Sequence, residues 1–433
     1  MKKKFFIKTM GCQMNVNDSE KIAGIFLESG YVESDDDRQA DVIVFNTCSI
    51  RQRAEQKFFS ELGRLKDAKK HNAKLRIAVA GCIARQEGEK IIKRFPYVDY
   101  VFGPDNIDRL QSWINTGEGR VSVEDNPEYH LKVLPMKREG GVRAWVSIMY
   151  GCDNFCAYCV VPYTRGRERS RPAEDIINEI KALSDDGCKE VTLLGQNVNS
   201  YGKSLSARSE FPELLENIHL ISGIKRIRFV TSHPKDLSDR LINVMRDMPK
   251  ICEHLHLPLQ AGSDNILKLM NRGYTFDNYT QKIESIRSAV PDMAITTDII
   301  AGFPGETDED FKMTMKALET IGFDGIYAFK YSKRPGTKAV ELPSHIDENV
   351  KSERLLLIQE LQETIISEKN KRFKGETVEI LTEGLSKGDA DMLTGRTAKN
   401  KIVNYCGDKG DIGNLVRIKI LEIKQHSLFG DKI

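Results

Sequence analysis

The chain has 433 residues, 40% apolar and 30% charged, with 65 Lys and Arg against 63 Asp and Glu. That is material for about two to four packed domains of a water-soluble globular protein, and a net charge of +2 neither demands nor excludes a polyanionic partner. Nine cysteines are too few for a disulfide scaffold and turn attention to metal binding or catalysis. The opening MKKKFFIKTMGC imitates a secretion signal, but Lys8 breaks its apolar run far short of the roughly 7 to 15 residues an h-region needs. No apolar segment reaches membrane-spanning length, so a cytoplasmic protein with no membrane contact is expected.

The first 120 residues repeat one unit: an apolar strand, a cysteine at its end, then a helical pattern. KFFIKTMGC ends at Cys12, DVIVFNTC at Cys48 and LRIAVAGC at Cys82. NDSEKIAGIFLESG, for example, opens on an Asn/Asp/Ser cap and closes with Gly30, as helices do. Strands alternating with helices predict an α/β domain with a parallel, flavodoxin-like sheet over 1–120, whose strand ends share one edge, so the three thiols converge. Each alone could be an ordinary buried cysteine; three in register form a candidate ligand set. The polar stretch 122–141, with two prolines and a closing Gly pair, suits a linker.

Six strand-like segments follow: AWVSIMYGC, EVTLLGQNV, RIRFVTSHP, HLHLPLQAG, AITTDIIAGFPGE and GIYAFKYSKRPGT. Separated by helical stretches, they predict a partial (βα)6 barrel over 138–370, with active groups in the loops after the strands. Within 346–374, Leu355, Ile358, Leu361 and Ile365 share one helical face, the mark of a packing helix. From residue 371 to 433, short alternating strands joined by Gly and Asp turns predict a small antiparallel β-barrel of oligonucleotide-binding (OB-like) type. It holds 12 Lys and Arg against 9 Asp and Glu, a mild basic bias around RTAKNK, and barrels of this shape bind looped RNA.

GCDNFCAYC, residues 151–159, sets Cys152, Cys156 and Cys159 close together with no fourth cysteine until Cys188. Zinc would ordinarily take a fourth Cys or His, and His130, Cys188 and His219 lie far off in sequence. A 4Fe-4S cubane takes one ligand per iron, so three thiolates leave one iron open to a small molecule. Cys-x-x-x-Cys-x-aromatic-Cys at the end of the first strand of a βα series resembles the radical S-adenosylmethionine (radical SAM) superfamily. The resemblance implies a 4Fe-4S cluster on Cys152, Cys156 and Cys159, S-adenosylmethionine on the open iron, and Tyr158 beside its adenine. It further implies that Gly195, Gln196 and Asn197 of LLGQNV, Ser232 and His233 of TSHP, Gln260 and Ser263 of LPLQAGSD, and Asp298 and Gly302 of DIIAGFPGET contact that cosubstrate. Gly302 and Gly305 would let backbone approach it closely.

MGCQMN, NTCSIRQRAEQK, GCDNFCAYCVVPYTRGRERSR and LTGRTAKNKIVNY extend the likeness to nearly the whole chain, which resembles the methylthiotransferases. Asp153, Ala157, Ala261, Ala301 and Ala398 depart from the residues that family would lead one to expect, without touching a ligand position. The likeness implies a second 4Fe-4S cluster on Cys12, Cys48 and Cys82, with one S-adenosylmethionine methylating a sulfur there. It implies that another is cleaved at the cluster of Cys152, Cys156 and Cys159 to activate carbon 2 of the target base. It implies a C-terminal TRAM domain and, as substrate, N(6)-dimethylallyladenosine beside the anticodon of tRNA. Threonylcarbamoyladenosine in tRNA and a ribosomal-protein aspartate are alternative substrates, and an iron-sulfur RNA-binding protein without turnover is the alternative of another class. Partners would be the anticodon stem-loop, a flavodoxin- or ferredoxin-type reductant and a sulfur donor, with the protein a monomer.

TRGRERSR places Arg165, Arg167, Arg169 and Arg171 just after the cluster loop. These, with Lys399 and Lys401, are candidate phosphate contacts, the plainer reading being a solvated loop. Cys188 and Cys252 read as structural, and Cys406 receives no function.

Overall fold

The computed structural model describes residues 2–49, 52–138, 140–205, 210–389 and 391–433. Ile50 and Arg51 of NTCSIRQRAEQK, and Glu139 of the linker, lie outside the described residues.

The N-terminal sheet has six strands: β1 (Lys4–Met10), β2 (Val32–Glu33), β3 (Val42–Thr47), β4 (Arg76–Gly81), β5 (Tyr100–Phe102) and β6 (Val121–Ser122). They run in the order β2-β1-β3-β4-β5-β6, every pairing parallel. This is the flavodoxin-like order with one strand added. The cysteine-bearing strands are the adjacent trio β1-β3-β4. All six β3 residues are buried, as a central parallel strand covered on both faces must be. One face packs against the helix Gln13–Glu28 through Phe5, Ile22 and Phe26, and the other against Phe58 and Leu62 of the helix Gln52–His71. β2, β5 and β6 are two or three residues long, too short for a period-2 signal.

Ion pairs fasten the linker down: Arg138 reaches Glu20 and Glu179, and Lys137 reaches Glu33. Next come β7 (Arg143–Ser147), the short antiparallel pair β8 (Met149–Tyr150) and β9 (Arg169–Ser170), then β10 (Glu190–Leu194), β11 (Arg226–Phe229), β12 (His254–His256), β13 (Ala294–Ala301) and β14 (Gly325–Lys330). β7-β10-β11 and β12-β13-β14 are parallel sheets, joined by the bridge Ile227 to Ile251. Among the described residues nothing pairs β14 with β7, so the six strands form an open half-barrel. Outward side chains such as Val191, Ile227, Ile295 and Ile299 pack on the surrounding helices. The helix Glu348–Lys371 closes this core through Ile358, Leu355 and Leu361, and the same helix buries Arg354 in an ion pair with Glu306 at 2.6 Å.

The C-terminal strands β15 (Thr377–Leu385), β16 (Leu393–Thr397), β17 (Ile402–Cys406), β18 (Leu415–Ile423) and β19 (Leu428–Lys432) close a barrel in the order β15-β16-β17-β19-β18. Four pairings are antiparallel as expected; β17 and β19, which seal the barrel, run parallel.

Candidate active site

Cys12 caps the helix Gln13–Glu28, Cys48 directly follows β3, and Cys82 begins the helix Cys82–Glu87. Register aligns Met10 with Thr47 and Thr47 with Gly81, so neighbouring strands end level. Two asparagines weld the first two loops. The Asn15 Oδ1 accepts from the Cys12 amide at 3.2 Å and its thiol at 3.4 Å, while Nδ2 donates to Asn46 Oδ1 and the Thr47 carbonyl. Asn46 in turn donates to the Asn15 carbonyl at 2.8 Å. MGCQMN and FNTC are therefore two halves of one knot. The Cys12 thiol is brought down to about 5, chiefly by a hydrogen bond with Cys48, burial opposing and Arg165 assisting; burial pushes Cys82 up, with Arg165 opposing.

The second set lies past the end of β7. Gly151 has φ +72°, and a Cβ there would collide with the Arg167 carbonyl, so the motif's glycine is required by the returning arginine loop. Burial pushes Cys152 to about 11 and Cys159 to about 12. Thiolates are the metal-binding form, so bound metal must supply the charge that water does not. Arg272, which stands in no recognisable motif, donates to Cys156 Sγ at 3.3 Å, Tyr158 Oη at 3.2 Å and the Pro258 carbonyl at 2.8 Å. It fixes the middle cysteine and the motif's aromatic together. A [4Fe-4S] cubane asks for one ligand per iron, so three cysteines would leave one iron open.

Apart from Asp298, which lies within β13, the expected cosubstrate residues occupy the loops at the C-terminal ends of the strands. Gln196 Oε1, Asn197 Oδ1, Ser232 Oγ, His233 Nε2 and Gln260 Oε1 are all buried without a protein partner. Such atoms are costly unless something polar meets them, and five on three successive loops suit a ligand with many hydrogen-bonding groups. Gln260 holds a left-handed φ of +76°, a strain of the kind found at ligand sites. Asp298 instead lies 3.5 Å from His256, and Ser263 is bonded to Asp310. The Gly302 N–H goes to Glu306 at 2.9 Å, and the space a Cβ would fill holds Lys351. The missing side chain there makes room for the closing helix.

His233 is depressed to about 2 by burial and then by Arg272 and Lys235. The unfolded chain protonates it near pH 6.5, so its contribution to stability is complete above that pH and declines as pH falls toward the folded value. At pH 5 the loss is about 2 kcal/mol. Urea midpoints should fall between pH 7 and pH 5 by more in the parent than in His233→Gln; equal falls would refute this.

The arginine run goes mostly inward, correcting the expectation of phosphate contacts. Arg165 pairs with Asp18 at 2.7 Å, Arg169 with Asp105 at 2.6 Å, and Arg171 with Glu179 at 2.8 Å, all largely buried. Arg167 alone is well exposed, at 72%, beside Asp153. The RTAKNK turn is corrected too. Lys399 meets Glu253 and Asp292, and Lys401 donates to Asn370. Arg228 donates to the Thr397 and Ala398 carbonyls. Glu190 and Arg226 begin their strands, so this turn stops the N-terminal mouth of the half-barrel, the end opposite the cysteines. Cys188 and Cys252 are buried and Cys406 is exposed.

Three parts of the chain match known families: residues 4–103 the uncharacterized protein family UPF0004, 146–318 the Radical SAM superfamily, and 371–433 the TRAM domain. A protein of Thermodesulfovibrio yellowstonii named tRNA-2-methylthio-N(6)-dimethylallyladenosine synthase is 54% identical over 429 residues, covering 99% of this chain and 98% of the relative. Proteins of the same name from Syntrophus aciditrophicus (49% over 437 residues; 100% and 95%) and Carboxydothermus hydrogenoformans (49% over 434; 99% and 99%) are similar throughout. Among solved structures, the radical S-adenosylmethionine methyltransferase TsrM from Kitasatospora setae superposes with a TM-score of 0.57 at 14% identity, over 78% of this chain and 77% of that one. That likeness is one of fold.

Proposed function

As the chain belongs to the radical S-adenosylmethionine methylthiotransferase family, we propose that it is a tRNA methylthiotransferase placing a methylthio group on carbon 2 of N(6)-dimethylallyladenosine beside the anticodon. The observation that carries this is full-length identity of about half to synthases of that product, spanning all three domains. The family's chemistry uses a [4Fe-4S] cluster and S-adenosylmethionine, and its substrate here is a tRNA. When bound, these cofactors supply the radical that attacks a carbon offering neither an acidic proton nor a leaving group.

The chain's own residues supply position and exclusion. Cys152, Cys156 and Cys159 hold one cluster, oriented by Arg272. The buried polar atoms of Gln196, Asn197, Ser232, His233 and Gln260 orient the cosubstrate against it. Cys12, Cys48 and Cys82 hold a second cluster, supported by their convergence on one sheet edge and the Asn15–Asn46 knot. The target base is extruded from the anticodon loop, whose unstacked bases can be read by stacking and edge contacts, and enters between the two sets, where position and dryness decide what reacts. The TRAM barrel adds RNA affinity from faces other than the turn stopping the half-barrel. An external reductant and a sulfur donor serve a monomeric enzyme in the cytoplasm; among the described residues no helix is long and apolar enough to cross a membrane.

Nucleoside analysis tests the reading. Cells lacking the gene should lose the 2-methylthio form and accumulate N(6)-dimethylallyladenosine, and purified protein under anaerobic reduction should methylthiolate prenylated tRNA. Loss from threonylcarbamoyladenosine instead would move the substrate, and absence of 5'-deoxyadenosine would leave only an RNA-binding protein.

A further inference from the structure

Arg165 is carried by the radical core, six residues beyond Cys159, yet its side chain enters the N-terminal domain. Nη2 donates to Asp18 Oδ2 at 2.7 Å, and the side chains are only 4% and 2% exposed. Its charge also acts on the thiols of Cys82 and Cys12, lowering both. Arg165 Nη1 and Asp18 Oδ1 are buried without partners. The loop bearing Arg165 is also tied to the other cysteine set: the Gly166 carbonyl accepts the Cys152 N–H at 3.2 Å. Arg169, anchored on Asp105, donates to the Arg165 carbonyl at 3.0 Å. Two consecutive residues thus reach the helix that Cys12 of one set caps and the backbone of the other set.

A cubane on three thiolates is anionic, and a buried anion needs a counter-charge. Arg cannot lose its proton in a protein, so it supplies a permanent charge.

Resting on the two-cluster reading above, we propose that Arg165, held by Asp18, is the positioning counter-charge of the group bound by Cys12, Cys48 and Cys82, raising its reduction potential and fixing it relative to the second set. Reduction adds a negative charge, which a neighbouring cation favours and a neighbouring anion opposes. Arg165 and Asp18 therefore act in opposite senses.

The test uses the full-length protein with Cys152, Cys156 and Cys159 all changed to Ala, anaerobically reconstituted with iron and sulfide and titrated by electron paramagnetic resonance. About four irons per chain should remain; no bound iron would overturn the two-cluster reading and this proposal together. With iron present, Arg165→Gln should shift reduction to more negative potential by about tenfold in equilibrium constant, about 59 mV for one electron. Arg165→Lys should restore most of that shift, and Asp18→Asn should move the potential the other way. Unmoved potentials, or shifts of one sign in both Arg165→Gln and Asp18→Asn, would overturn this proposal alone. Should Arg165→Gln fail to fold, a potential in Asp18→Asn that is unmoved or more negative overturns it.

Discussion

Changing Cys12, Cys48 or Cys82 to Ala is expected to abolish methylthio transfer to tRNA while 5'-deoxyadenosine formation from S-adenosylmethionine continues. Iron should fall from about eight to about four per chain, the content of a single cubane. The expectation comes from separation: one set sits on the N-terminal sheet edge, knotted by Asn15 and Asn46, and the other on the half-barrel, oriented by Arg272. Neither set lends a thiol to the other. Changing Cys152, Cys156 or Cys159 should instead stop both 5'-deoxyadenosine formation and transfer. Cys406→Ser, on an exposed strand end of the distant C-terminal barrel, should leave iron near eight. The measurements are iron and sulfide counts on anaerobically reconstituted protein, with both products quantified. A Cys12→Ala protein that keeps all its iron, or loses cosubstrate cleavage along with transfer, would refute the division.

The features readable in the sequence were those with local periodicity or spacing. Strands announced themselves where five or more alternating or buried residues ran together, as in β1, β3, β4 and β13, and not where two residues complete a sheet, as in β2 and β6. Cys152, Cys156 and Cys159 were legible because their spacing is confined to one loop. Cys12, Cys48 and Cys82 were legible because a parallel sheet puts all its strand ends on one edge. The arginines were misread because a charge run records the presence of charge and not its partner. Arg165 finds Asp18 at a separation of 147 residues, and Arg169 finds Asp105 at 64. Arg272 escaped notice for the same reason: its distance from Cys156 in the chain, 116 residues, carries no pattern. The RTAKNK turn looked like an RNA contact by composition, and only the docking of the C-terminal barrel assigns it to the half-barrel.

That docking leads to the largest stability effect expected of a single residue. Arg228→Ala should destabilise the protein by about 3–5 kcal/mol, the cost of breaking a buried pair from one side. Arg228 lies 3.0 Å from Glu190, and the two side chains are 7% and 1% exposed. The approach is off the N–H axis, because the guanidinium nitrogens Nη1 and Nη2 are aimed at the Ala398 and Thr397 carbonyls, at 2.9 and 2.7 Å. Removing the side chain would strand a buried carboxylate and deprive the Ala398 carbonyl of its donor, leaving the Thr397 carbonyl with the Asn400 N–H alone. The exposed pair Arg167–Asp153 provides the contrast: Arg167→Ala should cost no more than about 1 kcal/mol. Arg228→Met combined with Glu190→Gln, which removes both charges, should recover much of the loss. Urea unfolding of the four proteins decides the energetics. Limited proteolysis between residues 371 and 376, just ahead of β15, should speed up in Arg228→Ala as the C-terminal barrel loosens. A loss below about 1 kcal/mol in Arg228→Ala, no larger than an exposed ion pair provides, would mean that the Thr397–Ala398 turn is not what seals the half-barrel.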